Sequence, residues 1–449
     1  MSQRIVILGS GESGVGAALL AKAKGFVPFV SDSNMIAESF KKELIDAQIA
    51  FEEGKHSDDL ILNADVIIKS PGIPEKAPIM KLIRAKEKTV LSEIEFAYRH
   101  IIGAKFIAIT GSNGKTTTTL LIHHILKVLG YSVGLGGNIG ASLARQIIQD
   151  KKDIYVLELS SFQLDDMYRF KADVAVLLNI TPDHLDRYEY NFDNYVASKF
   201  RIFQNLTSVD SYITYTEDVV VAERLIAQPL SAQHFPVSLK QLGATGAYSD
   251  ETQIEIKGLD QKVYSCLVDD FPLTGKHNFI NIMSALNAVK AVGADVTKSI
   301  EAVKSFKNAP HRLEFVGSIF GVKYVNDSKA TNVDSVWYAL DSMKTPVVLI
   351  MGGVDKGNDY SQITALVKEK VHAIIALGKD NSKVKTGFEH IVADIKEARS
   401  MVEAIRLAHD SANKGDTILL SPACASFDLF KNYEDRGNQF RNLVIELAG

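Results

Sequence analysis

Short apolar segments bounded by glycine, proline or aspartate alternate along the chain with segments of helical length. Strands that are apolar on both faces are typical of parallel sheets covered by helices on each side. The alternation therefore predicts an α/β fold of repeated strand–helix–strand units. The apolar segments are residues 5–8, 64–68, 106–110, 154–159, 174–180, 347–351, 373–377 and 417–420, and helical patterns include residues 120–129 and 398–409.

Restarts of this pattern divide the chain of 449 residues, which is long enough for about three domains. A fresh strand begins at Lys105, and the pair Ala309–Pro310 separates a helical segment from another set of strands. Residues 208–272 depart from the pattern because two alternating segments flank Gly258, which predicts a hairpin insertion. We place the domain borders near residues 98 and 309, giving domains at 1–98, 99–309 and 310–449.

The composition excludes several classes of protein. Lysine and arginine total 50 against 54 aspartates and glutamates, so no basic field favours nucleic acid or an anionic membrane. The two cysteines, Cys266 and Cys424, stand alone, which argues against a disulfide framework and fits a reducing compartment. No run of about 18 apolar residues is present. We expect a cytoplasmic protein with neither nucleic-acid nor membrane partners.

The clearest local signal is the sequence ITGSNGKTT at residues 109–117, between an apolar strand and a helical segment. Backbone N–H groups of such a turn cradle phosphate, while Lys115 neutralises the terminal phosphates and the Thr116 hydroxyl reaches Mg²⁺. The strict pattern has a glycine six places before the lysine, where this chain has Ile109. The segment is therefore a variant phosphate loop, the alternative being a turn that merely starts a helix.

Two further residues are candidate magnesium ligands, because ligands of open parallel sheets gather beyond the carboxyl ends of the strands. Glu158 ends a strand that is otherwise too apolar to accommodate an acid, and His184 follows the next strand. A buried carboxylate satisfied by N–H groups is the alternative for Glu158. For His184 the alternative is an ordinary loop histidine.

A second phosphate signal lies near the N-terminus. The sequence GSGESG at residues 9–14 fits the dinucleotide fingerprint, and Asp32 ends the next strand at the spacing expected of a ribose-binding acid. This pattern favours NAD, but the same turn accepts any diphosphate, including that of a UDP-sugar, or serves only close strand–helix packing. A nicotinamide oxidoreductase would leave residues 111–117 unexplained.

Two phosphate loops on separate domains favour an enzyme that couples ATP to a nucleotide-linked substrate. The order and spacing of a series of motifs resemble the Mur ligase family over essentially the whole chain. These motifs are ITGSNGKT from Ile109, GGNIG from Gly136, LELSSFQL from Leu157, NITPDHLDRY from Asn179, GKHNFIN from Gly275, HR at His311, NDSKATN from Asn326 and LSPACASFD from Leu420.

The resemblance implies a Rossmann-like N-terminal domain that binds a UDP-sugar, a central ATPase domain of the P-loop type with a mostly parallel sheet, and a Rossmann-like C-terminal domain that binds an amino acid. The short N-terminal domain and the last two motifs are most similar to the member that adds D-glutamate to UDP-N-acetylmuramoyl-L-alanine. The implied reaction uses ATP and Mg²⁺, proceeds through an acyl phosphate, and belongs to cytoplasmic peptidoglycan precursor synthesis. We expect a monomer.

The same resemblance assigns site residues position by position. Lys115, Glu158, His184 and Lys199 are catalytic, and Lys199 matches a family lysine that is carbamylated; without the resemblance it would be interpreted as a solvated helix lysine. The implied metal ligands are Thr116, Glu158, His184 and Lys199. The implied ATP site comprises Gly111, Asn113, Gly114, Lys115, Thr116, Thr117, Asn278, Arg312, Asp327 and Lys329. The implied UDP-sugar site comprises Ser13, Asp32, Ser33, the turn from Ser70 to Gly72, and Asn138. The implied D-glutamate site comprises Thr331, Lys356, Ser426, Phe427 and Tyr433.

Other activities are compatible with parts of this pattern. Sister ligases that add L-alanine or a dipeptide share the motifs, although the Asp-Asn-Pro-Arg motif of the diaminopimelate-adding relative is absent. Folylpolyglutamate synthetase shares the central motifs but would not need the N-terminal diphosphate loop. A nucleotide-switched interaction protein is the non-enzymatic alternative. Asn34 stands where some members carry an arginine, which affects the expected contact with uracil.

Overall fold

A computed structural model describes residues 3–241, 245–258, 262–355 and 357–448. These residues form three sheets and divide into two compact units. The first unit extends to Pro272 and includes Phe279–Phe306, and it contains the first two sheets. The second unit comprises Leu273–Asn278 and the chain from Lys307, and it contains the third sheet. The predicted domain borders near 98 and 309 remain predictions.

The first sheet has five parallel strands in the order β3-β2-β1-β4-β5, which is a Rossmann-like arrangement. Its strand order reverses between β1 and β4, where open α/β sheets form a ligand crevice. The strands are β1 Arg4–Leu8, β2 Val27–Ser31, β3 Ala50–Glu52, β4 Val66–Lys69 and β5 Val90–Ser92. The helices are α1 Glu12–Ala23, α2 Glu38–Asp46, α3 Asp58–Leu62, α4 Pro78–Ala85 and α5 Glu93–Tyr98.

The turn between β1 and α1 depends on glycine. A Cβ atom at Gly14 would lie 2.0 Å from the carbonyl oxygen of Gly9, so no other residue fits without moving the helix away from the strand. The fingerprint glycine therefore permits close strand–helix packing, and it places the N-terminus of α1 at the end of β1.

The second sheet has nine strands in the order β14-β13-β12-β11-β10-β9-β6-β8-β7, and β6 to β12 are mutually parallel. The strands are β6 Lys105–Thr110, β7 Val133–Gly137, β8 Ile154–Glu158, β9 Val174–Leu177, β10 Ser211–Tyr215, β11 Gln233–Ser238, β12 Gly246–Ser249, β13 Gln253–Lys257 and β14 Val263–Leu267. The helices are α6 Lys115–Val128, α7 Leu143–Gln149, α8 Ser161–Leu164, α9 Phe192–Phe200, α10 Val219–Ala227, α11 Lys276–Ala291 and α12 Val296–Lys304.

Two expectations for this sheet need correction. The predicted hairpin is present as the antiparallel pair β13 and β14, but β10 and β11 continue the parallel sheet rather than belonging to an insertion. The predicted strand at 174–180 ends at Leu177. Beyond it Asn179 accepts hydrogen bonds from the phosphate loop, its carbonyl from Ser112 N and its Oδ1 from Asn113 N, so this backbone leaves the ladder.

The third sheet has six strands in the order β15-β16-β20-β17-β18-β19, parallel except for the antiparallel edge strand β15. The strands are β15 Glu314–Ile319, β16 Val322–Asn326, β17 Val347–Met351, β18 Val371–Leu377, β19 Asp394–Ala398 and β20 Thr417–Leu420. The helices are α13 Val333–Asp341, α14 Thr364–Lys370, α15 Ser382–Phe388, α16 Met401–Ser411 and α17 Tyr433–Ala448.

The predicted helix at 398–409 begins later than expected. Ala398 ends β19, and α16 begins at Met401 because the Ser400 hydroxyl caps it by accepting a hydrogen bond from Glu403 N. The predicted α/β class, with Rossmann-like first and third sheets and a mostly parallel central sheet, is confirmed. Among the described residues no helix is both long enough and apolar enough to cross a membrane.

Within the first unit, α1 and α5 of the first sheet pack against α7 of the second. Glu93, fully buried at the start of α5, accepts hydrogen bonds at Oε1 from Ser142 Oγ (2.7 Å) and Ala144 N (2.6 Å). Its Oε2 is buried and has no hydrogen-bond partner in the described part of the chain. Burial raises the pKa of Glu93 to about 7, and repulsion from Glu12 adds to the increase.

We predict that Glu93→Gln stabilises the protein at alkaline pH. Between the pKa of the unfolded chain and about 7, the folded protein holds a proton that the unfolded chain releases, so the contribution of Glu93 to stability falls as pH rises. Glutamine retains the acceptor oxygen and carries no charge. The variant should exceed the wild type by about 1–3 kcal/mol in free energy of unfolding at pH 8.5 and by little below pH 5. Urea titrations at both pH values measure this, and an equal difference at both would contradict it.

Candidate active site

The phosphate loop joins β6 to α6. Gly114, at the N-cap of α6, has a left-handed backbone conformation (φ 82°), and a Cβ atom there would lie 2.4 Å from Asn281 Oδ1. The Lys115 ammonium group donates to the carbonyls of Gly111 and Ser112, both at 2.8 Å. Thr116 and Thr117 are buried in the first turn of the helix. The predicted strand, glycine turn and helix are all present.

The phosphate loop is also contacted by residues that the motif prediction did not assign to the site. Ser112 Oγ donates to the carbonyl of Thr181 (2.8 Å) and lies 3.1 Å from the Tyr195 hydroxyl. Asn281 Oδ1 accepts from Thr118 Oγ1 at 3.2 Å. Asn281 is the last residue of the GKHNFIN motif, so a sequence signal was available for it, whereas only the fold shows that Tyr195 contacts the loop.

Glu158 ends β8 with its side chain buried, as the sequence predicts. Its Oε1 accepts from Asn138 Nδ2 at 2.9 Å, and its backbone carbonyl accepts from Asn138 N at 2.8 Å. Its Oε2 is buried and has no hydrogen-bond partner among the described residues. Asn138, assigned by resemblance to substrate, thus also fixes the orientation of the Glu158 carboxylate and leaves one oxygen to be satisfied by another group.

Lys199, in α9, is one of the largest fully enclosed side chains and is only 2% exposed. Its Nζ donates to the Gly111 carbonyl at 2.7 Å, the same oxygen that Lys115 Nζ contacts, and it lies 4.7 Å from the centroid of the Tyr195 ring. Burial lowers the pKa of Lys199 well below its ordinary value, and repulsion from Lys115 adds to the decrease. The amine is therefore much easier to deprotonate than that of an exposed lysine.

His184 lies in the loop after β9 with a left-handed backbone conformation (φ 53°) and a partly exposed ring. The ring is 5.3 Å from the Phe162 ring, and its Nε2 is 3.6 Å from Asp183 Oδ2. The residues that the structure describes contain no cluster of three or more histidine, cysteine, aspartate or glutamate side chains placed to hold a metal ion.

A cleft of about 850 Å³ lies at the carboxyl ends of β1, β2 and β4. Ser13, Asp32, Ser33 and Ser70 all line it, as does Asn34. Asp32 already accepts hydrogen bonds from Ser10 N (2.7 Å), Ser10 Oγ (2.6 Å) and Asn34 N (2.9 Å), which together hold its pKa below the ordinary value despite burial. Asp32 thus shapes the glycine turn as well as lining the cleft.

In the second unit, Asp327 follows β16 and is almost completely buried. Its Oδ1 accepts from Leu313 N at 3.2 Å and its Oδ2 from Ser421 Oγ at 3.0 Å. Burial raises the pKa of Asp327 to about 7. The carboxyl thus links two motif segments, the loop after β16 and the loop after β20.

Arg436, in α17, links the same loops and was missed by the sequence analysis. It is 1% exposed and donates to the Ser328 carbonyl (2.9 Å), the Ser328 hydroxyl (3.0 Å) and the Cys424 carbonyl (3.2 Å). Nothing in the sequence distinguishes it from the exposed arginines of other helices, since its burial arises only from packing.

The other implied residues of the second unit lie around these loops. Lys329 Nζ is 5.2 Å from the centroid of the Tyr433 ring, Ser426 is buried, and Phe427 is 73% exposed. Thr331 is half-buried at the end of the loop after β16. Lys356 lies outside the described residues, so its predicted role stays a prediction.

Asn278 and Arg312 also belong to the second unit. Asn278 Nδ2 donates to the Thr274 carbonyl at 2.9 Å. Burial lowers the pKa of His277 to about 4, and the positive charge of Arg312 adds to the decrease. The structure thus forms one group of predicted residues around the phosphate loop, one in the cleft of the first sheet and one in the second unit.

Comparison with known proteins agrees with this arrangement. Residues 3–92 match the description Mur ligase MurD-like, N-terminal domain; residues 109–289 match the Mur ligase middle domain; and residues 311–424 match the Mur ligase, glutamate ligase domain. Among solved structures, a pseudomurein peptide ligase type C from Methanothermus fervidus superposes with a TM-score of 0.63 at 19% identity, covering 99% of this chain and 100% of its own. UDP-N-acetylmuramate-alanine ligase from Thermotoga maritima gives 0.62 at 17% identity, with 99% of both chains covered.

Curated relatives are much closer in sequence. A UDP-N-acetylmuramoylalanine--D-glutamate ligase of Cytophaga hutchinsonii is 76% identical over 100% of both chains. The ligase of the same name from Bacteroides thetaiotaomicron is 49% identical over 99% of this chain and 100% of its own. The resemblance seen in the motifs is thereby confirmed, and the chain belongs to the Mur ligase family.

Proposed function

We propose that this chain joins D-glutamate to UDP-N-acetylmuramoyl-L-alanine, with hydrolysis of ATP to ADP and phosphate, in the synthesis of peptidoglycan precursors. The observation that carries this proposal is the 76% identity over the full length to a ligase of that name. The geometry supports it, because a cleft of about 850 Å³ and a phosphate loop occur in the same unit and a polar cluster occurs in the other.

The reaction needs activation because a carboxylate is a poor electrophile. An oxygen of the alanyl carboxylate attacks the γ-phosphorus of ATP, the bond to the bridging oxygen breaks, and ADP leaves. The D-glutamate amine then attacks the acyl carbon, loses a proton, and the C–O bond to phosphate breaks. Lys115 stabilises charge on the transferring phosphoryl group once its ammonium group exchanges the carbonyls of Gly111 and Ser112 for phosphate oxygens.

The residues present fit a magnesium ion. Glu158 offers a buried carboxylate oxygen that has no hydrogen-bond partner in the part of the chain that the structure describes, and the Thr116 hydroxyl lies in the first turn of α6. Mg²⁺ is usually bound by one or two carboxylates together with substrate phosphates, which suits an open set of ligands rather than a closed cage. When bound, the ion would screen the repulsion between the substrate carboxylate and the γ-phosphate. We assign Thr116 and Glu158 to this first ion, His184 to a second ion, and a modified Lys199 to the same metal site as its anionic group.

We further propose that Lys199 carries a carbamate. A neutral amine attacks CO₂ and releases a proton, so the low pKa of this buried lysine favours the modification. The product is anionic, which would relieve the repulsion between Lys199 and Lys115 and attract a cation. The shared contact of both lysines with the Gly111 carbonyl supports this assignment.

For the other substrates, we assign the UDP part to the cleft lined by Ser13, Asp32, Ser33 and Ser70, and we assign Asn138 to a position near the substrate and the adenine. D-glutamate is assigned to Thr331, Lys356, Ser426, Phe427 and Tyr433, with Asn278, Arg312, Asp327 and Lys329 completing the ATP site and catalytic groups. We also propose that the protein acts as a cytoplasmic monomer.

We predict that Ser426→Ala and Lys356→Ala raise the KM for D-glutamate by about 10- to 150-fold. Loss of one hydrogen bond to a charged group costs about 1.5–3 kcal/mol. Trapping of the acyl phosphate with hydroxylamine should still succeed in both variants, because that step precedes amine attack. The exposed Ser318→Ala serves as the control. Unchanged D-glutamate kinetics in both variants would remove amino-acid binding from this part of the chain.

The function is tested by measuring phosphate release with ATP while the UDP-sugar and the amino acid are varied. Mass spectrometry should show one added glutamate residue on UDP-N-acetylmuramoyl-L-alanine. ADP formation without a new amide would favour a nucleotide-switched protein. Preference for L-alanine, a dipeptide or a folate substrate would favour another member of the family or a folylpolyglutamate synthetase.

A further inference from the structure

Arg187 connects the loop that carries His184 to the loop that follows β4. Its Nη2 donates to the carbonyls of Pro71 (3.2 Å) and Ile73 (3.3 Å), and its Nη1 is 3.5 Å from the Gly72 carbonyl. One guanidinium group therefore caps three consecutive carbonyls of the loop at residues 70–73, hereafter the cleft loop. The contacts with the Pro71 and Ile73 carbonyls are at or just beyond ordinary hydrogen-bond length, and the contact with the Gly72 carbonyl is weaker.

These contacts fix the direction of an N–H group. In a trans peptide the carbonyl and the N–H point in opposite directions, and no cis peptide occurs among the described residues. Because the Pro71 carbonyl accepts a hydrogen bond from Arg187 and therefore points toward it, the N–H of Gly72 in the same peptide points away from Arg187. No described residue accepts a hydrogen bond from Gly72 N, whereas Ile73 N donates to the Ser70 carbonyl at 3.1 Å.

Gly72 lies on the wall of the cleft, together with Gly9, Gly11 and Ser13 of the glycine turn. The turn follows β1 and the cleft loop follows β4, so the two flank the point where the strand order reverses. A Cβ atom at Gly72 would meet nothing within 4 Å, which indicates open space beside this backbone. The N–H is thus available to an anionic group of a ligand that spans the crevice.

The guanidinium group is itself held in place. It stacks on the Phe162 ring, with 4.3 Å between Cζ and the ring centroid, and the same ring lies 5.3 Å from the His184 ring. At the far side of the cleft loop, Glu75 pairs with Lys69 (2.7 Å) and Arg84 (3.0 Å). Lys69 and Arg84 also pair with the buried Asp166, which lies in the part of the first unit that contains the second sheet. The cleft loop is consequently fixed at both ends.

We propose that Arg187 is a positioning residue. It directs the Gly72 N–H toward the UDP-sugar, and it fixes the position of the cleft loop relative to the loop that carries His184. This inference rests on the proposed function for the identity of the ligand. Arg187 touches neither the reacting atoms nor the ligand, and acts through the backbone of the cleft loop. Its planar fork suits adjacent carbonyls, which a lysine cannot cap in the same way.

The test compares Arg187→Ala with a matched arginine. Arg201 also donates to main-chain carbonyls, those of Leu164 and Met167, and lies over an aromatic ring, that of Tyr168, but it does not contact the cleft loop. Calorimetry should show that Arg187→Ala weakens binding of UDP-N-acetylmuramoyl-L-alanine by about 10-fold, and steady-state kinetics should show a matching rise in its KM. The KM for D-glutamate should stay within about twofold, and Arg201→Ala should leave both substrate affinities unchanged.

Arg187→Lys provides a second variant if the alanine variant unfolds, and it should lose affinity for the UDP-sugar while keeping the charge. Equal loss of all substrate affinities and of thermal stability in the variants of both arginines would assign Arg187 a merely structural role and overturn the inference. Unchanged UDP-sugar affinity in Arg187→Ala would overturn it as well. If the wild type bound the UDP-sugar but formed no amide, the proposed function would fail, and the affinity comparison would still decide the role of Arg187.

Discussion

Replacing Lys199 with alanine should lower kcat by about 10²- to 10³-fold or more, the range typical of losing one electrostatic group of an active site. The carbamate would be lost with the side chain, leaving the cation site without one anionic ligand. A small carboxylate such as acetate should partly restore activity, because removal of a fully buried lysine side chain leaves a cavity in which the anion can replace the lost negative charge. Full activity in Lys199→Ala would remove this residue from the mechanism.

The modification itself has a direct readout. Wild-type protein equilibrated with ¹³C-labelled bicarbonate should show a carbamate signal in its ¹³C NMR spectrum, and Lys199→Ala should not. Lys171→Ala is the control, because Lys171 is partly exposed and pairs with Asp210 at 2.6 Å, which favours its ammonium form. A carbamate signal that persists in Lys199→Ala would place the modification elsewhere.

The burial of Lys199 is a feature that the local sequence does not predict. The pattern of α9 alone suggests a solvated lysine, and only the resemblance to a family singled the residue out. Its burial and its contact with Gly111, 88 positions away, come from tertiary packing that no local pattern encodes. Arg436 and Arg187 were missed for the same reason, since Ser328, a partner of Arg436, and Pro71, a partner of Arg187, each lie more than 100 positions away in the sequence.

Features with a short-range cause were predicted well. The apolar strands, the glycine turns after β1 and β6, and the acid at the end of β8 were all located from local sequence. Errors arose where long-range contacts overrode the local pattern, as at Asn179, whose hydrogen bonds to the phosphate loop end the strand early. A second error had a local cause, because the Ser400 cap delays a helix that hydrophobic periodicity alone begins at Ala398.

Replacing Glu158 with glutamine should change activity and stability in opposite directions. The amide oxygen of glutamine can still accept from Asn138 Nδ2, so the local packing is retained while the charge is removed. Without that charge, kcat should fall by about 10²-fold and the Mg²⁺ concentration for half-maximal activity should rise. In the absence of Mg²⁺ and ATP, the melting temperature should rise, because the wild type buries a carboxylate oxygen that has no partner among the described residues.

Glu95 provides the matched control for this prediction. It is also fully buried, but both of its oxygens are satisfied, by Arg99, Arg169 N and Phe170 N. Glu95→Gln should therefore lower the melting temperature by breaking a charged pair, and it should leave the Mg²⁺ requirement unchanged. A buried carboxylate that destabilises the cation-free protein is expected at a site where a bound cation completes its coordination. Neutralising a carboxylate that only supports the fold should instead lower the stability of the protein. Normal activity and an unchanged Mg²⁺ requirement in Glu158→Gln would exclude Glu158 as a ligand and place the cation on other groups.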